Sequence, residues 1–554
     1  MSLDLDTLSF ILLGSISTVA LLSIRNAKGP DVHPLLLNSQ ADPSRLRHAG
    51  ETAIYRSRMH PNGSPLLMTM DRNIRTLHDL FENGGIKSQA QAKYLGNFNG
   101  QTYEWQTYDT VYKRVQDFRS GLAAFAELNS KTNDSSSFVG IFAKSCPETM
   151  IAEQAANSHS YVTIPITANA RTTLLSHILE STSLTTVVVD KETLPILLSV
   201  ANGTSVKYVI VNGKAKDTDL KLAKEKGIEL EDFENIEALG SSKPVEKVVP
   251  GPDDISSIYF TKTKTGKKAG VILKHKNVLA NIAAYIAIMP PNQKVTSADR
   301  LLQSYAPGNA LNRVLIGMMT YVGGSIAFGA EIADDEEVAD ITSLQKCAQE
   351  AKPTIVASTA LPMKQIKERV ESQYGNSFLY KRGYERKKNL LLSNGRLVVD
   401  NRYDMLVFRD IRQKIFGGSL KVVFLEDYGD IGDLSMFVRV VLGAQAVPTY
   451  NRTEAAGTIT ASMFYDYSAN GSSRGAAIPC NEVKLIDLPD EGYLATDYPN
   501  PRGEICVRGS NVFSGYWNDP SATEDVLDGD KWFMTGDIGA WQPNGTLELI
   551  GRKK

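Results

Sequence analysis

The chain has 554 residues, 42% of them apolar and 22% charged, with a formal net charge of −2. This is the composition of an ordinary globular protein of one large or several smaller domains, and it excludes a disordered or fibrous chain. A near-neutral balance gives no footprint for nucleic acid, and no nucleic-acid partner is expected. Four scattered cysteines (Cys146, Cys347, Cys480, Cys506) without CxxC spacing, and seven histidines without an HExxH pair, exclude a disulfide scaffold and a zinc enzyme.

In chain order, "TLSFILLGSISTVALLSI" (residues 7–24) carries no charge over 18 residues. As a helix it would span roughly 27 Å, close to a bilayer's hydrocarbon thickness. Arg25, Lys28, Arg45 and Arg47 follow it, so the positive-inside bias predicts a membrane anchor over 1–28 with the body in the cytosol. A cleaved signal peptide and an ordinary buried helix are the competing readings. Residues 29–95, polar and studded with Pro, Asn and Gly, read as a lead-in.

From about residue 100 strands and helices alternate. "FVGIFA" (138–143), "SYVTIPI" (160–166), "TTVVVD" (185–190) and "VKYVIVN" (206–212) are short apolar runs of strand length. Between the first three lie helical patterns at "PETMIAEQAANSH" and "TTLLSHILES". Nearly all-apolar strands alternating with helices predict a parallel sheet covered on both faces. "SSIYF" (256–260), "LKVVFL" (420–425) and "AVPTYN" (446–451) continue the strands, and "KNVLANIAAYIAIM" repeats apolar residues at helical spacing. The Lys/Arg-rich stretch 362–413 reads as a solvated helical face. Beyond about 480, short strands punctuated by Gly, Pro and Asn suggest a small antiparallel sheet or barrel.

"FTKTKTGKKAGV" (260–271) sits where a loop between a strand and a helix could offer backbone N–H groups to an anion. It has neither Walker A nor GxGxxG spacing. Its threonines and four lysines suit a phosphate, and equally suit an exposed basic turn.

Four further stretches decide more: "PDDISSIYF…AGVILKHKNVLANI" (252–282), "YNRTEAAG" (450–457), "RGEICVRGSNVFSGYWNDPSATEDV" (502–526) and "WFMTGDIGAWQPNGTLELIGRKK" (532–554). Together, in this order, they resemble the AMP-forming acyl-CoA synthetases, and "IPCNEVKLIDLPDEGYLATDYPNPRGE" is similar to the long-chain fatty-acid branch. The resemblance runs from about residue 50 to the end. It implies the large N-terminal domain of the adenylate-forming fold: layered α/β subdomains with mostly parallel sheets (96–479) plus a small antiparallel β subdomain (480–550). It also implies that 551–554 begins a hinge, with the C-terminal domain absent. The implied activity is ligation of a fatty acid to coenzyme A through acyl-AMP, using ATP and Mg²⁺. The implied locations are the endoplasmic reticulum, peroxisome or lipid-droplet surface.

By the same resemblance Thr261, Thr265 and Gly266 belong to the phosphate loop. Tyr450 packs on adenine, Thr453 contacts phosphate, and Glu454 holds Mg²⁺ and serves catalysis with Thr453. Asp537 and Arg552 grip the ribose. The departures are Lys262, Thr263, Lys264, Lys268 and Ala269 in the loop (for Ser, Gly, Thr, Pro and Lys), Asn451 for Gly, Met534 for His and Gly551 for Asp. "LEDYGDI" (425–431) and "YAPGNALN" (305–312) stand where the adenine pocket and acyl site have other residues. Losing a glycine to β-branched Thr263 removes freedom that phosphate-wrapping loops use. Three readings follow: a long-chain fatty acid–CoA ligase with impaired catalysis, a non-catalytic relative that binds nucleotide, acyl chain or a partner at a membrane, and an adenylate-forming enzyme for another acid.

Overall fold

A computed structural model describes residues 7–26, 29–45, 47–263, 266–329, 340–426, 429–467, 469 and 471–553. Among these residues the strands form three sheets. The first runs Lys268–Lys274, Ile255–Lys262, Val162–Ile166, Phe138–Phe142, Thr186–Asp190, Tyr208–Asn212, Glu229–Asp232 from edge to edge. It is parallel except for the hairpin at its first edge. The sequence dictates this: the three central strands are buried along their whole length but for Asp190, so both faces need helical cover. The helices Pro147–Ser158 and Thr172–Thr182 supply part of it, the first opening on Pro147 where no N–H is required.

The second sheet centres on parallel strands Val422–Glu426, Ile355–Thr359, Arg300–Leu302 and Ser325–Phe328. Gln445–Arg452 lies parallel beside Val422–Glu426 and turns back antiparallel into Gly457–Ala461. The third sheet is the antiparallel one expected beyond 480, with Asn481–Ile486, Arg502–Gly509, Phe533–Trp541 and Leu547–Arg552 in order. It also takes in Ala41–Pro43 and Tyr55–Ser57.

Those two strands change the reading of residues 29–95. Far from being only a lead-in, this stretch adds a third element, Lys93–Phe98, to the second sheet and buries Leu77, Leu80 and Phe81 in the main apolar core. Polar, Pro-rich composition hid the few apolar positions that matter. The helical stretch after 360 is mostly solvated, but Lys387 and Arg412 turn inward onto buried Asp404.

The first helix runs Thr7–Asn26 and exposes Phe10, Leu12, Ile16 and Val19. For the anchor expected over 7–24 the structure gives the helix Thr7–Asn26 but no support for a span. Among the described residues, no helix is long and apolar enough to cross a membrane. In the described part of this helix Ser9, Gly14, Ser15, Ser17 and Thr18 interrupt the apolar residues.

Buried histidines give the fold an acid limit. His275 opens the helix His275–Ile288, is fully buried, and accepts a hydrogen bond on Nδ1 from the Leu77 amide at 3.3 Å. Burial, reinforced by the nearby charge of Arg313, lowers its pKa to about 3. The folded protein therefore refuses a proton that the unfolded chain accepts at about 6.5. The stability contributed by neutral His275 is complete above that pH and is lost as pH falls toward 3. Urea unfolding should show a loss of up to about 1.4 kcal/mol per pH unit from this residue below pH ~6.5. His275→Leu should lessen the slope by that amount; an unchanged slope would refute the assignment.

Candidate functional site

An open cleft of about 500 Å³ lies where the first two sheets meet. It is bordered by the carboxyl ends of five strands: Val162–Ile166, Ile255–Lys262, Ile355–Thr359, Val422–Glu426 and Gln445–Arg452. Ligand sites in open parallel sheets belong at this end, where strands stop and connecting loops carry side chains over the edge.

One wall is basic. Ile255–Lys262 and Lys268–Lys274 pair antiparallel, with Lys262 opposite Lys268 and Thr261 opposite Ala269. The loop is therefore a hairpin, and the expectation of a strand-to-helix loop is corrected. Val271 and Ile272 prolong a second strand, and the helix begins only at His275. Alternation along that strand sends Lys268 into the cleft and Ala269 into the core. Lys267 is drawn away to Asp519 at 3.0 Å. Burial, then the charges of Lys262 and Arg171, hold the Lys268 ammonium below its ordinary pKa.

Two of the described amides of this turn are bound within it. The Thr263 amide donates to the Lys267 carbonyl at 2.8 Å and the Gly266 amide to the Thr263 carbonyl at 3.0 Å. Gly266 adopts φ +78°, a conformation glycine alone takes without cost. Thr265 lies outside the described residues.

The opposite wall comes from the end of Gln445–Arg452 and the short turn Thr453–Ala455. Asn451, Arg452, Thr453 and Glu454 all border the cleft, with Glu426 beside them. Glu454 Oε1 accepts from the Tyr516 hydroxyl at 3.0 Å and from Arg452 Nη2 at 3.4 Å. The other guanidinium nitrogen, Nη1, lies 3.5 Å from Asp537 Oδ2. That same Oδ2 accepts from the Tyr450 hydroxyl at 2.6 Å. Arg552 stands further off, its Nε 3.9 Å from Asp537 Oδ1. Burial pushes the Asp537 carboxyl above its ordinary pKa, against the pull of Arg452, the Tyr450 hydrogen bond and Arg552.

The residues singled out from the sequence therefore divide into two groups. Thr261, Thr453 and Glu454 meet at the cleft. Tyr450, Asp537 and Arg552 form a second cluster, joined to the first through Arg452. Asp537 is wholly buried, whereas the side chain of Arg552 is 45% exposed. Glu426 and the 308–311 part of "YAPGNALN" border the cleft, whereas Asp430 is exposed and bonded to the Gly432 amide. Asp427 lies outside the described residues.

Sequence reading passed over Arg452 and over Thr359–Pro362, which borders the cleft. A charge closing the apolar strand "QAVPTYNR" was the available signal, since a buried arginine requires a carboxylate partner. Ile166, Leu174, Ile178, Leu311 and Leu361 complete the lining and give the cleft an apolar side.

The Mg²⁺ that the resemblance assigns to Glu454 does not fit these residues. Mg²⁺ binds carboxylate oxygen at about 2.1 Å in strict octahedral geometry. The Glu454 side chain is 1% exposed, already holds two donors on one oxygen, and is paired with a guanidinium that would repel a divalent cation.

The sequence model of the family described as "AMP-binding enzyme" matches residues 87–517. The chain belongs to the AMP-binding enzyme family. It is 29% identical over 515 residues to long-chain-fatty-acid–CoA ligase 1 of Cavia porcellus, covering 91% of this chain and 71% of that protein. To the peroxisomal long chain acyl-CoA synthetase 7 of Arabidopsis thaliana it is 30% identical over 526 residues, covering 92% and 71%. Among solved structures, a long-chain-fatty-acid-CoA ligase from Archaeoglobus fulgidus has a TM-score of 0.65 at 18% identity, covering 88% of this chain and 86% of that one. The A domain of a carboxylic acid reductase from Segniliparus rugosus, solved with AMP and a co-purified carboxylic acid, gives 0.67 at 19%, covering 87% and 75%. These two likenesses show the fold of this AMP-binding enzyme, a mixed α/β domain with parallel sheets and an added antiparallel one.

Proposed function

We propose that this AMP-binding enzyme is a long-chain fatty acid–CoA ligase of the AMP-forming type whose adenylation step is impaired. The observation that carries this reading is the cleft itself, with Thr261, Lys262, Lys268 and Thr453 all bordering it beside an apolar side. ATP would lay its phosphates against the two lysines and two hydroxyls. A fatty acid would lay its chain along Ile166, Leu174, Ile178, Leu311 and Leu361. Its carboxylate oxygen then attacks the α-phosphorus, the bond to the pyrophosphate oxygen breaks, and acyl-AMP forms. In the second half-reaction the thiol of coenzyme A attacks the acyl carbonyl and AMP departs. Lysines beside the phosphates lower the cost of bringing two anions together.

Impairment follows from the turn. The Thr263 and Gly266 amides are bound within the hairpin and cannot also cradle a phosphate. Losing one such preorganised donor costs roughly 10²–10³ in rate. The second reading, a catalytically inactive relative that binds nucleotide or acyl chain, is favoured by one observation: Arg452 lodged between Glu454 and Asp537.

Acyl-AMP formation by the full chain from labelled ATP and palmitate, against a lipid-free control, separates the two. We expect lipid-dependent product at about 10⁻²–10⁻¹ s⁻¹, the loss of one donor taken from the ~10 s⁻¹ median of enzymes. No lipid-dependent product, from protein that still binds AMP, would leave only the second reading.

A further inference from the structure

We infer that Arg452 is a built-in counterion that takes the place of a divalent cation at Glu454, so that ATP binds this cleft without help from Mg²⁺. The inference rests on the reading of the cleft as a nucleotide site.

The geometry is that of a bridge. The side chain of Arg452 is 8% exposed, that of Glu454 1%, and that of Asp537 is not exposed at all. The guanidinium puts Nη2 on Glu454 Oε1 and Nη1 on Asp537 Oδ2. One carboxylate from the turn after the second sheet's strand Gln445–Arg452 and one from the third sheet thus share one fixed cation. A planar, permanently charged fork is suited to such a double pairing. Tyr516 and Tyr450 then donate a hydroxyl each, one to Glu454 and the other to Asp537.

Bridging has a consequence for binding. A carboxylate facing the phosphates of ATP repels them unless a cation lies between, and a divalent ion normally serves that purpose. Here Arg452 offsets part of the charge on Glu454 from within the chain, while Lys262 and Lys268 meet the phosphates from the other wall. Adding Mg²⁺ would supply a charge the cleft already contains.

The test is calorimetric titration of the full chain with ATP, once in EDTA and once in millimolar MgCl₂, with AMP titrated in parallel. The expected result is an ATP dissociation constant that improves no more than threefold with Mg²⁺. In Arg452→Gln, checked for folding by thermal melting, Mg²⁺ should improve ATP binding by tenfold or more. Arg452→Lys, which keeps the charge but not the fork, should depend on Mg²⁺ less than Arg452→Gln does. An improvement above threefold in the parent protein would overturn the inference while leaving the nucleotide reading intact. Absence of binding by ATP and AMP in both buffers would overturn the nucleotide reading, and the inference with it.

Discussion

Replacing Lys262 and Lys268 together by methionine should weaken ATP binding about 50-fold and change adenosine binding less than about twofold. Hydrogen bonds between ionised partners contribute roughly 1.5–3 kcal/mol each. Lys262 is exposed, so its share is discounted for screening, and about 2.3 kcal/mol in total corresponds to the stated factor. The two side chains stand directly opposite each other across the hairpin and both border the cleft, so each loss is felt at one phosphate chain. Lys268 carries a second signature. Because burial and the neighbouring charges of Lys262 and Arg171 lower its pKa, it surrenders its proton earlier than an ordinary lysine as pH rises. The protonated form binds phosphate, so ATP affinity should fall through the alkaline range, more steeply than adenosine affinity. In the double variant that slope should flatten. Equal weakening of ATP and adenosine would show that the lysines act on the fold and not on phosphate.

The second large effect separates two residues that the sequence resemblance treats alike. Asp537→Ala should cost about 3–5 kcal/mol in urea unfolding, because it strands a buried guanidinium and the Tyr450 hydroxyl at once. Arg552→Ala should cost less than about 1 kcal/mol, as expected of a half-exposed partner 3.9 Å away. Asp537→Asn, which keeps the shape and a carbonyl acceptor for Tyr450, should recover part of the loss. Comparable costs for Asp537→Ala and Arg552→Ala would mean that Asp537 is no more tightly held than a surface carboxylate. The same cluster makes Asp537 the keystone of a buried network.

Much of this architecture could be read from residue patterns. "TTVVVD" and "VKYVIVN" are continuous apolar runs because both faces of their sheet are covered, and they pair parallel as that texture requires. The antiparallel sheet after residue 480 was legible for the same reason, through its spaced turns. The hairpin at 260–271 was not. Lysine- and glycine-rich texture masked the alternation of Ala269, Val271 and Leu273, which face inward from an edge strand. Order and spacing could gather Thr261, Thr453 and Glu454, since all three lie at or just beyond strand ends. They could not reveal that Arg452 turns inward to meet Asp537, a residue 85 positions away, because that depends on how the second and third sheets dock.

The hairpin also obeys a rule of parity. Side chains along Lys268–Lys274 alternate between two faces, Lys268 bordering the cleft and Ala269, Val271 and Leu273 entering the core, so what each face meets depends on whether a position is odd or even, not on its place in a linear motif. A slip of a single residue in the pairing of Lys262 with Lys268 would turn Ala269 outward and drive a lysine into the apolar interior. The charge of this cleft is thus stored in the strand register, and a one-residue change in the length of the 263–267 turn would be a more drastic mutation than any substitution within it.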